Sequence, residues 1–149
     1  DWLPGGKLAD SGCTHHGLPA FVSINTRLGL LRVAGNLPLY TQLLQRFCRS
    51  QRDVLPDLAH ACEHDYRAQA IRRIHSLRGV AGNIGAETLE KAAEVLEFQL
   101  KHAPMLNLQE PRLHAASMRL QDALQAVLLE LDQHFSTPAA DAETGVRAQ

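Results

Sequence analysis

The 149-residue chain is 45% hydrophobic and 21% charged, with a formal net charge of -1. That length and apolar content suit one buried core with flanking segments, and the near-cancelling charges supply no basic field to hold a nucleic-acid backbone. The uncharged apolar runs fall well short of the roughly 20 residues of a bilayer span or the roughly 7 to 15 of a signal-peptide core, so no membrane contact is expected of this stretch.

The chain opens without Met on DWLPGGKLADSGCTHHGLPA, a Gly/Pro-rich stretch without periodicity. Residues 1–22 therefore read as a linker or expression remnant, and the whole as a piece of a longer protein. SINTRLGLLRVAGN, with Gly29, Gly35 and Asn36, predicts a partly ordered leader packed across one end of the domain. From Leu37, the residues Tyr40, Leu43, Leu44, Phe47, Cys48, Leu55, Leu58 and Cys62 recur at three- and four-residue steps and share one helical face. Pro56 inside this run predicts either one kinked helix or two stacked ones.

A second helix is expected over about Arg67 to Ile84, with Ile71, Ile74, Leu77, Ala81 and Ile84 on one stripe and Gly85 as its left-handed stop. A third follows from Ala86 to about His102, with Leu89, Ala93, Leu96 and Leu100 facing inward. Pro104 ends it; Asn107 and Glu110 have capping-box spacing and Pro111 suits a first turn. The last helix carries Leu113, Leu120, Leu124, Val127, Leu128, Leu131 and Phe135. Strict alternation is absent and β-branched residues are sparse, so no sheet is expected. The expected fold is all-α, an antiparallel up-down four-helix bundle over residues 23–136 with the short N-terminal leader at one end. Residues 137–149 are small and polar and predict a disordered tail.

The chemistry concentrates in IRRIHSLRGVAGNIG, residues 71–85. At 3.6 residues per turn, His75 projects roughly 130° from the stripe of Ile74, Leu77 and Ala81 and so points outward. His75, Gly79 and Gly82 form an i, i+4, i+7 ridge with Arg78 beside them. Glycines inside a helix cost about 1 kcal/mol each relative to alanine, so something other than helix stability accounts for them. Gly79 removes the side chain that would crowd the ring and lets another protein surface approach; Arg78 can pair with a phosphoryl group there by charge-assisted hydrogen bonds. An ordinary surface histidine beside close-packing glycines is the bland alternative, and the combined pattern argues against it.

HSLRGVAGNIGA resembles the signature of histidine phosphotransfer (HPt) domains, in which the phosphorylated His is followed by a small or polar residue, an apolar one, Lys or Arg, and Gly. The wider stretch from Ile24 to about Lys101, including GLLRVAGNLPLYTQLLQRF, resembles the C-terminal HPt domains of unorthodox hybrid sensor histidine kinases. The resemblance implies a four-helix bundle whose second long helix presents His75 to a receiver domain, with Nε2 accepting phosphoryl from a receiver aspartyl phosphate and giving it to another receiver. Arg78 stands where Lys is commoner in the family. Glu97 stands where family members often place a Gln that hydrogen-bonds the ring; the other reading is a solvated Glu on a face that also carries Glu90 and Glu94. Arg72, Ser76 and Gly82 fall in the implied partner-binding surface.

The implied function is a two-component phosphorelay carrier, with a helical interaction module lacking transfer as the alternative. The partners would be receiver domains of response regulators or of a parent hybrid kinase, docking transiently on a monomer. No intrinsic cofactor is expected, since the chain has neither a nucleotide-cradling loop nor a carboxylate cluster of its own; Mg²⁺ is expected in the partner's receiver domain. The chain is therefore expected not to be an enzyme.

His60 and His64 are four apart and could chelate a transition metal, but no third ligand has convincing spacing, so no metal site is expected. Cys13, Cys48 and Cys62 are odd in number and lack metal-ligand spacing, which fits free thiols and favours the cytoplasm, including the cytoplasmic end of a membrane-bound sensor kinase.

Overall fold

The computed structural model describes residues 14–15, 18–19 and 21–141, without the side chains of the first four or of 136–141. It contains a two-residue antiparallel ladder, β1 (Thr14–His15) with β2 (Leu18–Pro19), followed by six helices: α1 (Thr26–Arg32), α2 (Leu37–Ser50), α3 (Val54–Glu63), α4 (Arg67–Ile84), α5 (Glu87–His102) and α6 (Pro111–Asp141). The ladder corrects the expectation of no sheet, though pairing this short adds little to the fold. It also lies inside the stretch read as a linker, whose other residues up to 20 are outside the described set, Cys13 among them.

Local chemistry sets the helix ends. The side chain of Asn25 accepts from the Leu28 N–H at 3.0 Å at the start of α1, and that of Asn36 from the Leu39 N–H at 3.1 Å at the start of α2. Between α2 and α3 the break falls at Gln51–Asp53, before Pro56 and not at it. Pro56 is the third residue of α3, where its missing N–H would have had no helical partner. Arg73 of α4 holds the break: it donates to the Ser50 carbonyl at 3.1 Å, the Gln51 Oε1 at 3.0 Å and the Asp57 carboxylate at 3.0 Å.

At the other end of α4, Gly85 adopts φ 87° and stops the helix, with the Ala86 N–H returning to the Ala81 carbonyl at 2.9 Å. The chain turns directly into α5. Arg67 at the start of α4 donates to the Leu100 carbonyl at the end of α5 at 2.6 Å, so the two helices form an antiparallel hairpin. At α6, Glu110 is itself the cap, accepting from the Arg112 and Leu113 N–H groups at 3.1 Å each, while Asn107 caps the preceding turn at the Gln109 N–H. The capping-box arrangement expected of Asn107 and Glu110 is thus replaced by two separate caps.

α5 packs between α4 and α6; α3 lies on α4, and α2 on α6. The core between them is aliphatic: Leu44, Leu58, Ile74, Leu77, Leu96 and Leu120 are essentially sealed from solvent. Tyr40 is also sealed, its phenol donating to the Ile84 carbonyl at 2.7 Å, and burial raises its pKa. α1 crosses the α4–α5 corner so closely that a Cβ on Gly29 would come within 2.6 Å of the Ile84 carbonyl oxygen. The leader ahead of α1 is pinned to α6 by Glu130, which accepts the Val22 and Ser23 N–H groups at 2.7 and 2.8 Å and the Ser23 hydroxyl. Helix α6 continues to Asp141, five residues beyond Ser136, where a disordered tail was expected. Adding residues to a formed helix costs far less than starting one, and Ala139 and Ala140 are strong helix formers. Residues 142–149 lie outside the described set. No helix among the described residues is long and apolar enough to cross a membrane.

Candidate functional site

The amphipathic pattern of α4 buries Ile74 and Leu77 and turns the intervening His75 outward, with its side chain 67% exposed. The ring is not free to spin. Its Nδ1 lies 3.0 Å from Oε2 of Glu97, which reaches across from α5. Nε2 is left without a protein partner among the described residues.

Glu97 is the unusual residue of the site, because its side chain is only 5% exposed. A buried carboxylate must be paired, and three donors converge on this one. Arg78 Nη1 meets Oε1 at 3.1 Å, while Lys101 Nζ, one turn further along α5, shares Oε2 with the ring at 3.1 Å. Burial pushes the Glu97 carboxyl upward, but the hydrogen bonds from Lys101, Arg78 and His75 outweigh it and hold the group below the ordinary carboxylate range. The solvated reading of Glu97 is therefore overturned by the packing of α5 against α4. An ionised Glu97 accepts Nδ1–H, which fixes the tautomer with its lone pair on Nε2.

Gly79, one turn after His75, is exposed, and a Cβ added there would meet nothing within 4 Å. The ridge beside the ring is open. Gly82 does not belong to that opening: it is buried, and a Cβ on it would come within 2.9 Å of Glu90 Oε2. Its expected place in the partner surface is corrected; the bare backbone there receives the Glu90 side chain of α5.

On the other side of the ring, an open depression of about 610 Å³ runs between α3 and α4, lined by Asp57, His60, Gln69, Arg72, Arg73, His75 and Ser76. Arg72 and Ser76 are exposed in it. Arg73 is engaged in the fold as described, so Arg72 is the more available of the two cations. The His60 and His64 rings lie 4.2 Å apart between centroids, tilted by 40°, and no group of three metal-ligating side chains occurs among the described residues. Cys48 and Cys62 are buried, unbridged thiols.

Sequence reasoning missed Lys101 as part of the site and His60 as a wall of the depression. The only available signal for Lys101 was its i+4 spacing from Glu97.

An exposed imidazole oriented by a buried acid, beside a guanidinium and an open glycine, has its counterpart in a known family. The sequence profile of the Hpt domain matches residues 42–134, well over half of the chain. The chain belongs to the Hpt domain family. Hpt domains are phosphocarriers of two-component phosphorelays and not enzymes. The fold agrees: the chain is similar to the crystal structure of the HPT domain from a sensor hybrid histidine kinase of Shewanella, with a TM-score of 0.58 and 22% identity over 74% of this chain and 95% of that one. No curated protein matches the chain. Within the Hpt framework, the residues matched include the whole of α4 and α5, and thus His75, Arg78, Glu97 and Lys101.

Proposed function

We propose that this Hpt domain accepts a phosphoryl group on Nε2 of His75 from a receiver-domain aspartyl phosphate and passes it to another receiver. The observation that carries this reading is the pairing of an exposed ring with a buried carboxylate at Nδ1, which leaves Nε2 as the unpaired nitrogen of that ring among the described residues. In the transfer, the Nε2 lone pair forms the N–P bond as the O–P bond breaks, and the electron pair of that bond returns to the aspartate. The ring, now substituted at Nε2 and still protonated at Nδ1, carries positive charge, and Glu97 faces it. Arg78 supplies charge to the transferring group, and Gly79 leaves room for the receiver surface.

The chain's contribution is positioning: in-line transfer needs the nitrogen aligned and the phosphoryl charge met more than it needs covalent help. Mg²⁺ and the aspartate come from the receiver. Arg72 and Ser76 border the depression where that partner would dock, and the encounter is transient, as a relay requires. In architecture, α2 and α3 read together as one arm, and with α4, α5 and α6 they make the antiparallel four-helix bundle of this reading. We further place the domain in the cytoplasm as a monomer, attached to a hybrid sensor kinase.

Incubating the domain with a labelled, phosphorylated receiver tests the reading. Acid-labile, base-stable label on the wild-type chain and none on His75→Gln is the expected result. Label that persists in His75→Gln, or no label on either protein, would overturn it; the second outcome would leave a helical interaction module.

A further inference from the structure

Glu97 is a buried anion whose two oxygens are used differently. Among the described residues, Oε1 serves Arg78 alone, whereas Oε2 serves both the His75 ring and Lys101. Two cations on one carboxylate are more than neutrality requires, and their surroundings differ. Arg78 lies on α4, one turn from His75 on the same side of the helix; Lys101 lies on α5, one turn beyond Glu97.

On the carrier reading, on which this inference rests, a phosphoryl group on Nε2 brings about two negative charges and three acceptor oxygens within reach of Arg78. A guanidinium held by a single contact to Oε1 is drawn to that group. Were Arg78 the sole counter-ion of Glu97, its departure would leave a nearly solvent-free carboxylate with only the ring as partner. Such a carboxylate takes up a proton or turns toward water, and either change releases Nδ1. Lys101 blocks both outcomes because it binds the same oxygen that the ring uses.

We propose that Lys101 is a positioning residue for the phosphorylated state, holding Glu97 ionised against His75 Nδ1 while Arg78 shifts to the phosphoryl group. The two cations thus divide the work. Arg78 follows the phosphoryl group as it arrives and leaves, and Lys101 stays with the carboxylate. An ordinary i, i+4 surface pair would have no such link to phosphorylation, since its contribution would be the same before and after transfer.

The test uses the full chain and a receiver domain charged with labelled acetyl phosphate, measuring the equilibrium ratio of phospho-His75 to phospho-receiver. Lys101→Met keeps most of the stem and removes the charge; it should move the ratio away from His75 by about five-fold, the scale of one partly exposed charge contact. Lys101→Arg should restore the ratio to within about two-fold of wild type. In the unphosphorylated Lys101→Met protein, ¹⁵N shifts of the His75 ring should still report Nδ1–H, because Arg78 is then still on Glu97. A ratio unchanged in Lys101→Met, or an equal loss in Lys101→Arg, overturns the proposal while leaving the carrier reading intact. If the wild-type chain takes no phosphoryl group, both fall together.

Discussion

Nδ1 of His75 and Oε2 of Glu97 lie 3.0 Å apart across the α4–α5 hairpin, joining a side chain that is 67% exposed to one that is 5% exposed. This pair connects the fold to the chemistry. The buried end is fixed by helix packing and by Arg78 and Lys101, so the exposed end inherits a fixed orientation and tautomer.

Replacing the acceptor should therefore slow transfer without unfolding the domain. Glu97→Ala should lower the rate of phosphoryl uptake about ten-fold, the worth of one orienting hydrogen bond, while Glu97→Gln should fall between Glu97→Ala and wild type, because its amide oxygen still accepts Nδ1–H but it lacks the charge and the second acceptor that Arg78 and Lys101 use. Stopped-flow transfer kinetics, with ¹⁵N shifts of the ring to read the tautomer, check both variants.

Gly79 separates access from stability. Gly79→Gln fills the open space beside the ring and should block transfer, yet the helix should gain about 1 kcal/mol from the better helix former, so the melting temperature should hold or rise. Normal transfer by this variant would show that the gap beside His75 is not needed for docking.

Gly85 makes the opposite case. Its φ of 87° and the close approach of the Asn25 backbone oxygen leave no room for a Cβ. Gly85→Ala should destabilise the domain by at least about 2 kcal/mol, combining a left-handed backbone penalty with displacement of the leader. Urea unfolding measures this directly.

Acid should loosen the leader and the site together. For Glu130, burial pushes the carboxyl up, but hydrogen bonds from the Ser23 side chain and the Ser23 and Val22 backbone pull it below the ordinary range; Glu97 is likewise lowered. Both groups bind protons more weakly in the folded chain than in the unfolded one. Their contribution to stability is therefore complete above the ordinary carboxylate range and is lost as pH falls through it toward the depressed folded values. Glu130→Gln should flatten the acid limb of a stability-versus-pH curve between those limits; an unchanged limb would show that Glu130 contributes nothing there.

The outward turn of His75 and the open ridge at Gly79 were legible in the sequence because both follow from helical periodicity within one element. The burial of Glu97 was not. Glu90, Glu94 and Glu97 are chemically alike, and only the packing of α5 on α4 selects which one is withdrawn from water. The same limit explains Gly82: a helical projection places it on the ridge of His75 but does not say that Glu90 from the next helix covers it. Pro56 marked the α2–α3 discontinuity only approximately, since proline is tolerated in a first helical turn and the break is held by Arg73 from a helix distant in sequence. The separate capping roles of Asn107 and Glu110 depend on backbone geometry that their spacing leaves open.

The most direct test of the central claim is to charge the ¹⁵N-labelled domain from a phosphorylated receiver and locate the phosphoryl group by ³¹P–¹⁵N coupling. The account predicts a single phosphoryl group on Nε2 of His75, with the proton retained on Nδ1. A phosphoryl group on Nδ1, or on any other residue, would contradict it.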